Sequence, residues 1–268
     1  MKKLLVLFGC IALAFTLTAC SDDKPDTQEE VLEASIQTAE NINSYRSNIK
    51  INQEAVYSSP FKQTAEITMD YVKEPQGMVL NAKTGIDNVK VEGELYFVDG
   101  DVYQRDTVID YWVEGKETGF HPSLDDAIKQ LSLTKRLEWL QTHADDLEME
   151  VKEGKYILTL TGSGDTYQEL SKQIWDMSMP AFYKSNFGKN LKNKKFSYTV
   201  HIAQEDFLLL ESFTEADLEL TVDDDEKQLK TLVTIEEEIS KVDEIDPIVV
   251  PDKVSGSAVD NQTGEKAN

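Results

Sequence analysis

Cysteine and histidine are scarce in this chain, and none of its hydrophobic runs is long enough to cross a membrane. Two cysteines and three histidines occur among 268 residues. One of the cysteines, Cys10, lies in the apolar run 4–15, which follows Met1, Lys2 and Lys3. A run of about a dozen residues falls short of the roughly 20 that a membrane-spanning helix needs, and it is typical of a signal-peptide core. We expect this segment to direct export and to be removed, which would exclude an internal disulfide in the mature chain.

Basic residues are also few. The sequence has 27 Lys and Arg against 50 Asp and Glu, so its formal net charge is −23. Such a charge repels nucleic acid and anionic lipid surfaces, and we expect no nucleic-acid partner. An acidic surface that serves only solubility explains the charge equally well.

Signatures of catalysis and metal binding are missing from the sequence. His121, His143 and His201 lie in separate predicted elements without ligand spacing, so we expect no metal site. No G-x-S-x-G motif occurs, and we expect neither an enzyme nor a cofactor. The glycine-rich stretch 162–165 lacks the lysine of a phosphate loop and favours a turn. The acidic run 223–226 could hold calcium weakly, but it lacks the glycine of a calcium loop, and a hairpin turn explains it better.

The periodicity of apolar residues predicts few helices and many strands. Asp26 and Glu29 indicate a capping box, and apolar residues at helical spacing predict a helix over 27–43. Period-two alternation then predicts about six antiparallel strands over 45–114, with a tight turn at Asp99 and Gly100. Helical spacing returns over 123–146 and over 165–179.

Strands are predicted again between and after these two helical regions. A hairpin is expected to turn at Glu153 and Gly154, and three long strands follow from Phe196 onward. Each strand is apolar on one side only, so one large apolar face has to be covered. Because too few helices are predicted to cover a flat sheet, we expect a curved sheet with an apolar hollow.

The inward positions of these strands are the candidate cavity-lining residues. Methionine and aromatic side chains suit an adaptable apolar pocket, although they suit an ordinary core equally. Glu237 falls on the apolar side of the last strand, where it is either a cavity or rim charge or a sign that the strand bulges. The candidates are Ile67, Met69, Tyr71, Met78, Leu80, Leu95, Phe97, Tyr111, Val113, Tyr198, Val200, Leu218 and Leu220.

The residues after the apolar leader carry a first resemblance. Leu17, Thr18, Ala19 and Cys20 resemble the lipobox of bacterial lipoproteins. The resemblance implies that cleavage precedes Cys20 and that its sulfur carries a diacylglyceryl group, with palmitate-type chains that anchor the protein to the extracytoplasmic face of the cell membrane. The alternative is a chance cysteine after an ordinary signal peptide.

A second resemblance extends over most of the chain. The capped helix before "SYRSNIKINQEAV", the strands with "GELYFVDGDVYQ" and the closing "IDPIVVPDKV" look like small Gram-positive, Bacillus-type lipoproteins of unknown function with a LolA/LppX-like domain. This resemblance implies an α+β fold in which a half-open antiparallel sheet of about 9–11 strands wraps a few helices. The expected organisation is a lipoprotein signal peptide over 1–19, a tether over 20–28, a LolA-like domain over 29–251 and a disordered tail over 252–268.

This fold implies a function. We expect a membrane-anchored lipoprotein that binds or carries an apolar or acylated ligand in a hydrophobic cavity. The alternative is a surface interaction or sensor lipoprotein that binds a cell-envelope protein and holds no small molecule.

Overall fold

Twelve strands form one open, curved sheet in the computed structural model, which describes residues 25–56, 60–87, 89–108, 110–116, 132–167, 191–221, 228–260 and 263. The strands are β1 (Ser44–Val56), β2 (Pro60–Val72), β3 (Gly77–Ile86), β4 (Val89–Val98), β5 (Asp101–Asp106), β6 (Val113–Lys116), β7 (Leu147–Lys152), β8 (Lys155–Gly162), β9 (Leu191–Ala203), β10 (Leu209–Thr221), β11 (Gln228–Ser240) and β12 (Val259–Asp260). Their order across the sheet is β12-β6-β5-β4-β3-β2-β1-β11-β10-β9-β8-β7.

Two runs of consecutive strands make up this sheet. Strands β1 to β6 and strands β7 to β11 are each antiparallel meanders, and the pairing of β1 with β11 joins them. The last strand, β12, runs parallel to β6, so the sheet is mixed. The prediction of an α+β fold with an open, curved sheet is confirmed. The predicted strand number of about 9–11 is too low and the predicted purely antiparallel pairing is wrong, because the chain end adds a parallel edge strand.

Three α-helices lie in the described part of the chain. They are α1 (Gln28–Asn41), α2 (Leu133–Gln141) and α3 (Asp252–Ser255), and two short 3-10 helices span Ala144–Asp146 and Gly164–Tyr167. α1 and α2 contact each other and pack on one face of the sheet, which we call the inner face. None of the described helices combines the length and the apolar character that crossing a bilayer would require.

A capping box starts α1 one residue later than predicted. The Thr27 side chain accepts a hydrogen bond from the Glu30 amide at 3.2 Å, and the Glu30 carboxylate accepts one from the Thr27 amide at 3.3 Å. The prediction that Asp26 and Glu29 form the box is therefore wrong. Thr27 takes the cap because its backbone is extended at φ −122° and ψ 154°, as the cap position requires.

Two tight turns form where the sequence predicts them. Asp99 and Gly100 have φ values of 52° and 87°, and Glu153 and Gly154 have φ values of 52° and 76°. Two consecutive residues with positive φ match the twist of the flanking strands. The turns connect β4 to β5 and β7 to β8. Of the predicted helical regions, residues 123–131 and 168–179 lie outside the described residues, and α2 is the described helix of the first.

The chain end is part of the domain, so the prediction of a disordered tail is wrong for residues 252–260. The outward side of β4 and β5 carries a second, smaller apolar core made by Tyr103, Trp112, Val254 and Ala258. Val254 and Ala258 are each only 1 % exposed. The segment that leads to α3 also crosses this outward side, since a Cβ at Gly77 would lie 3.0 Å from the Cβ of Ile248.

Candidate functional site

The inner face of the sheet carries the predicted cavity residues. Residues directly opposite each other on neighbouring strands share a face, and the register places Met69, Leu80 and Leu95 in one line. A second line holds Tyr71, Met78 and Phe97. On the other half of the sheet, Tyr198, Val200, Leu218 and Leu220 also point inward, with Tyr198 8 % exposed and the other three fully buried. Because Val200, Leu218 and Leu220 are fully buried, they belong to the hydrophobic core.

Part of this inner face is less densely covered. Ile67, Tyr71, Leu80 and Leu95 are half-buried, although they face the same side as the fully buried Met69. Across the sheet, Ile67 is followed by Ala82 and then by Gly93. We call the half-buried residues with Ala82 and Gly93 the inner patch.

The size of the side chains in the inner patch decides its shape. Along the line from Ile67 through Ala82 to Gly93, the side chain falls from four carbons to one and then to none. A Cβ added at Gly93 would have the backbone oxygen of Arg105 as its nearest described neighbour, 3.7 Å away. Side-chain volume in the inner patch therefore decreases toward Gly93, beside Leu80 and Leu95.

A buried ion pair interrupts the inner face. The Glu237 carboxylate accepts two hydrogen bonds from the Arg136 guanidinium, one of them from Nη2 to Oε1 at 3.2 Å. Ser47 Oγ donates to Oε1 at 2.6 Å and Ser212 Oγ donates to Oε2 at 3.0 Å. Glu237 is 6 % exposed. The pairing of β11 with β1 and β10 continues regularly through Glu237, so the strand does not bulge there and the residue is a buried charge.

Burial and pairing oppose each other in setting the charges of this cluster. Burial alone would raise the pKa of Glu237, but attraction to Arg136 and the four hydrogen bonds outweigh it, and the pKa lies below the ordinary value. Burial alone would lower the pKa of Arg136, but Glu237 raises it above its ordinary range. Burial also raises the pKa values of Tyr45 and Tyr198. At neutral pH the cluster is thus one positive and one negative charge among neutral phenols.

Helix α2 supplies Arg136 to this cluster. Its buried residues Leu133, Leu137 and Leu140 hold it against the core. Trp139 packs against Tyr198, with ring centroids 6.2 Å apart. Sequence reasoning missed Arg136, because only the inward position of Glu237 signalled that a cation had to lie nearby.

Comparison with known proteins places the chain in a family. The model of a family of unknown function, DUF6612, matches residues 27–259. The chain belongs to this family. A comparison with curated proteins finds none that matches this DUF6612 chain.

Several solved structures are similar to this DUF6612 chain. LprF from Mycobacterium bovis is 13 % identical, and the likeness covers 85 % of this chain and 97 % of that one at a TM-score of 0.44. The LolA superfamily protein NE2245 from Nitrosomonas europaea is 10 % identical, with 86 % and 97 % covered at a TM-score of 0.19. A putative outer membrane lipoprotein-sorting protein domain from Vibrio parahaemolyticus is 10 % identical, with 79 % and 89 % covered at 0.25. All three TM-scores lie below 0.5.

The remaining sequence predictions meet different outcomes in the DUF6612 chain. Val113 points inward from β6 and is 8 % exposed. The prediction for Tyr111 is wrong: it is 53 % exposed and lies in a bend before β6, beside a cavity on the opposite face. Cys20 and His121 lie outside the described residues. His143 contacts Trp139, and His201 pairs with Glu211 on the outward side of the sheet.

Proposed function

We propose that this protein is a membrane-tethered, extracytoplasmic binding protein that holds the acyl chain of an apolar ligand against the inner patch. The observation that carries the proposal is the decrease in side-chain size at Ala82 and Gly93 beside half-buried Leu80 and Leu95, which would leave a shallow apolar depression. Burying apolar ligand surface there would contribute about 25 cal/mol per Å² removed from water.

The composition of the inner patch supports an acyl chain over a polar ligand. Its side chains offer carbon surface, and Met69 and Met78 beside it are unbranched residues that adapt to a flexible ligand. Arg136 and Glu237, the buried ion pair of the inner face, neutralise each other, so this pair leaves no net charge to attract an ionic headgroup.

Membrane attachment is the second part of the proposal, and it rests on the lipobox at residues 17–20. Two acyl chains on Cys20 would contribute enough buried CH₂ groups for stable anchoring. Cys20→Ser should abolish labelling of the protein in cells by an alkyne analogue of palmitate and should shift the protein from the membrane fraction to the soluble fraction. Equal labelling of the wild type and the variant would contradict the anchor.

Ligand binding can be tested by filling the depression. Ala82→Phe places a ring in the inner patch, whereas Lys83→Phe places the same ring on the outer face one residue away. We expect Ala82→Phe to weaken the binding of a fluorescent fatty acid at least tenfold and Lys83→Phe to leave it within twofold. Circular dichroism would confirm that both variants fold.

Native mass spectrometry of the protein purified from cells provides an independent measurement. We expect a co-purifying lipid on the wild type and its loss from Ala82→Phe. A wild-type chain that retains no lipid and takes up no fatty acid would refute the proposed ligand, whatever the result for Cys20.

A further inference from the structure

A line of polar side chains crosses the outer face of the sheet, the face opposite the helices α1 and α2. It runs from β5 to β9 through residues that lie directly opposite each other, which are Arg105, Glu94, Asn81, Thr68, Asn48, Glu238, Glu211 and His201. We call it the outer row. Neighbouring strands lie about 4.8 Å apart, so the seven steps of the outer row span about 34 Å.

The middle of the outer row forms the floor of a groove. It consists of Asn81, Thr68 and Asn48, which are short and uncharged, and Thr68 Oγ1 donates to Asn48 Oδ1 at 3.2 Å. Except for Val79, the positions two residues away on the same strands carry longer, charged side chains. Arg46 and Asp70 form an ion pair at 2.6 Å on one side of the groove.

The other side of the groove is also charged. Lys83 and Glu92 lie 3.9 Å apart there, and both are exposed. Lys50 and Glu66 continue this row on the neighbouring strands, so the wall carries both signs of charge, and the floor beside it offers neutral hydrogen-bonding groups.

The β5 end of the outer row opens into a cavity of about 480 Å³. Asn81, Glu94 and Arg105 line it, together with Tyr111 and Trp112. The Arg105 guanidinium lies 5.8 Å from the centre of the Trp112 ring, which holds it in place. Tyr111 is 53 % exposed and presents its ring at the mouth.

The β9 end of the outer row has a second cavity, of about 440 Å³. Asn48, Glu211 and His201 line it, and His201 Nδ1 lies 2.8 Å from Glu211 Oε2. Phe213, an aromatic residue that is 39 % exposed, also faces this cavity. Each end of the outer row therefore combines an exposed ring with polar groups, and the uncharged floor lies between the two ends, bordered by the carboxylates of Glu94 and Glu238.

We propose that the outer row binds a linear, uncharged polysaccharide, whose sugar rings pack on Tyr111 and Phe213 and whose hydroxyl and amide groups hydrogen-bond to Asn81, Thr68 and Asn48. Asn side chains both donate and accept, as a chain of hydroxyl groups requires. Aromatic rings present large, rigid contact area at low cost in conformational entropy. This inference is independent of the proposed function, because it concerns the opposite face.

Other polymers fit the outer row less well. A polyanion would meet the net charge of −23 and would be repelled by it. A basic peptide would pair with the carboxylates of Glu94 and Glu238, but it would find no charge on the floor between them, and oligo-lysine in the test below distinguishes it from the polysaccharide.

The test uses the full chain and the uncharged hexamer of β-1,4-linked N-acetylglucosamine, with its dimer for comparison, in isothermal titration calorimetry. We expect the hexamer to bind at least tenfold more tightly than the dimer, because only the longer chain reaches from the groove into an end cavity. The double variant Asn48→Ala/Thr68→Ala should weaken hexamer binding at least tenfold.

A matched control exists on the same two strands. Asn52 and Thr64 form another directly opposed Asn and Thr pair on the outer face, four residues along each strand. Asn52→Ala/Thr64→Ala should leave hexamer binding within twofold, and both double variants should bind fatty acid as the wild type does. No hexamer binding at millimolar concentration, equal losses in the two double variants, or tighter binding of oligo-lysine or a polyanion would overturn the inference.

Discussion

The buried ion pair of Arg136 and Glu237 allows a quantitative test of what holds α2 to the sheet. Glu237→Gln keeps the shape of the side chain and removes its charge. The Arg136 guanidinium then faces a neutral amide, while its Nε has no hydrogen-bond partner among the described residues. Removing one partner of a buried pair costs about 3–5 kcal/mol. The Arg136 side chain is 20 % exposed, so water can partly solvate it, and we expect a loss of about 3 kcal/mol in the free energy of unfolding.

Urea unfolding followed by tryptophan fluorescence measures this loss. Glu236→Gln is the matched control, because Glu236 is the neighbouring residue on the exposed side of the same strand, and we expect it to change stability by less than about 0.5 kcal/mol. The double variant Arg136→Met/Glu237→Leu should be more stable than Glu237→Gln, since it leaves no unpaired charge behind.

The pH dependence of the free energy of unfolding provides a second test of this ion pair. The pKa of Glu237 in the folded chain lies below its ordinary value of 4.5, so the stability it contributes is present above pH 4.5 and is lost as the pH falls through the folded pKa. The difference between the wild type and Glu237→Gln should therefore shrink below pH 4.5. A difference that stays constant from pH 7 to pH 2, or a Glu237→Gln variant as stable as Glu236→Gln, would refute the reasoning.

Three further predictions concern stability and use the same unfolding titration. Gly162→Ala should destabilise the domain by about 1–3 kcal/mol, because its Cβ would lie 1.9 Å from the Tyr167 ring; an unchanged midpoint would show that this ring does not pack there. Thr27→Ala should cost about 1 kcal/mol through loss of the α1 cap, and no loss would mean that the cap is not formed. Val254→Ala should cost about 1–2 kcal/mol if α3 is packed as described, whereas a disordered tail would tolerate the change without effect.

The predictions that succeeded depended on neighbours in sequence. Alternation at Ile49 and Ile51 predicted the inward face of β1, and the Glu153-Gly154 pair predicted the turn between β7 and β8. Alternation failed at Tyr111 because Asp110 has a φ of 53°, which breaks the extended backbone before β6 begins. Where the extended backbone is broken, side chains no longer alternate between the two faces of the sheet, so the position of a residue in the sequence no longer predicts its face.

The errors at the chain end have a different cause. Residues 252–268 contain few apolar residues, so composition predicted disorder. Val254 and Ala258 are nevertheless buried, because Tyr103 and Trp112 supply the other half of the small core. Those aromatics lie more than 140 residues earlier in the sequence, and no local pattern connects the two segments.

The amino-acid sequence by itself determined the long strands and their apolar faces, two of their turns, and the first helix to within one residue. These properties follow from the backbone and from the spacing of side chains a few residues apart. Tertiary structure alone decided that β1 pairs with β11, that Arg136 meets Glu237 across 101 residues, and that one line of polar groups crosses eight strands of the outer face. The physical reason is that alternation specifies which side of a strand is buried, whereas the partner of that side is selected by the packing of the whole chain.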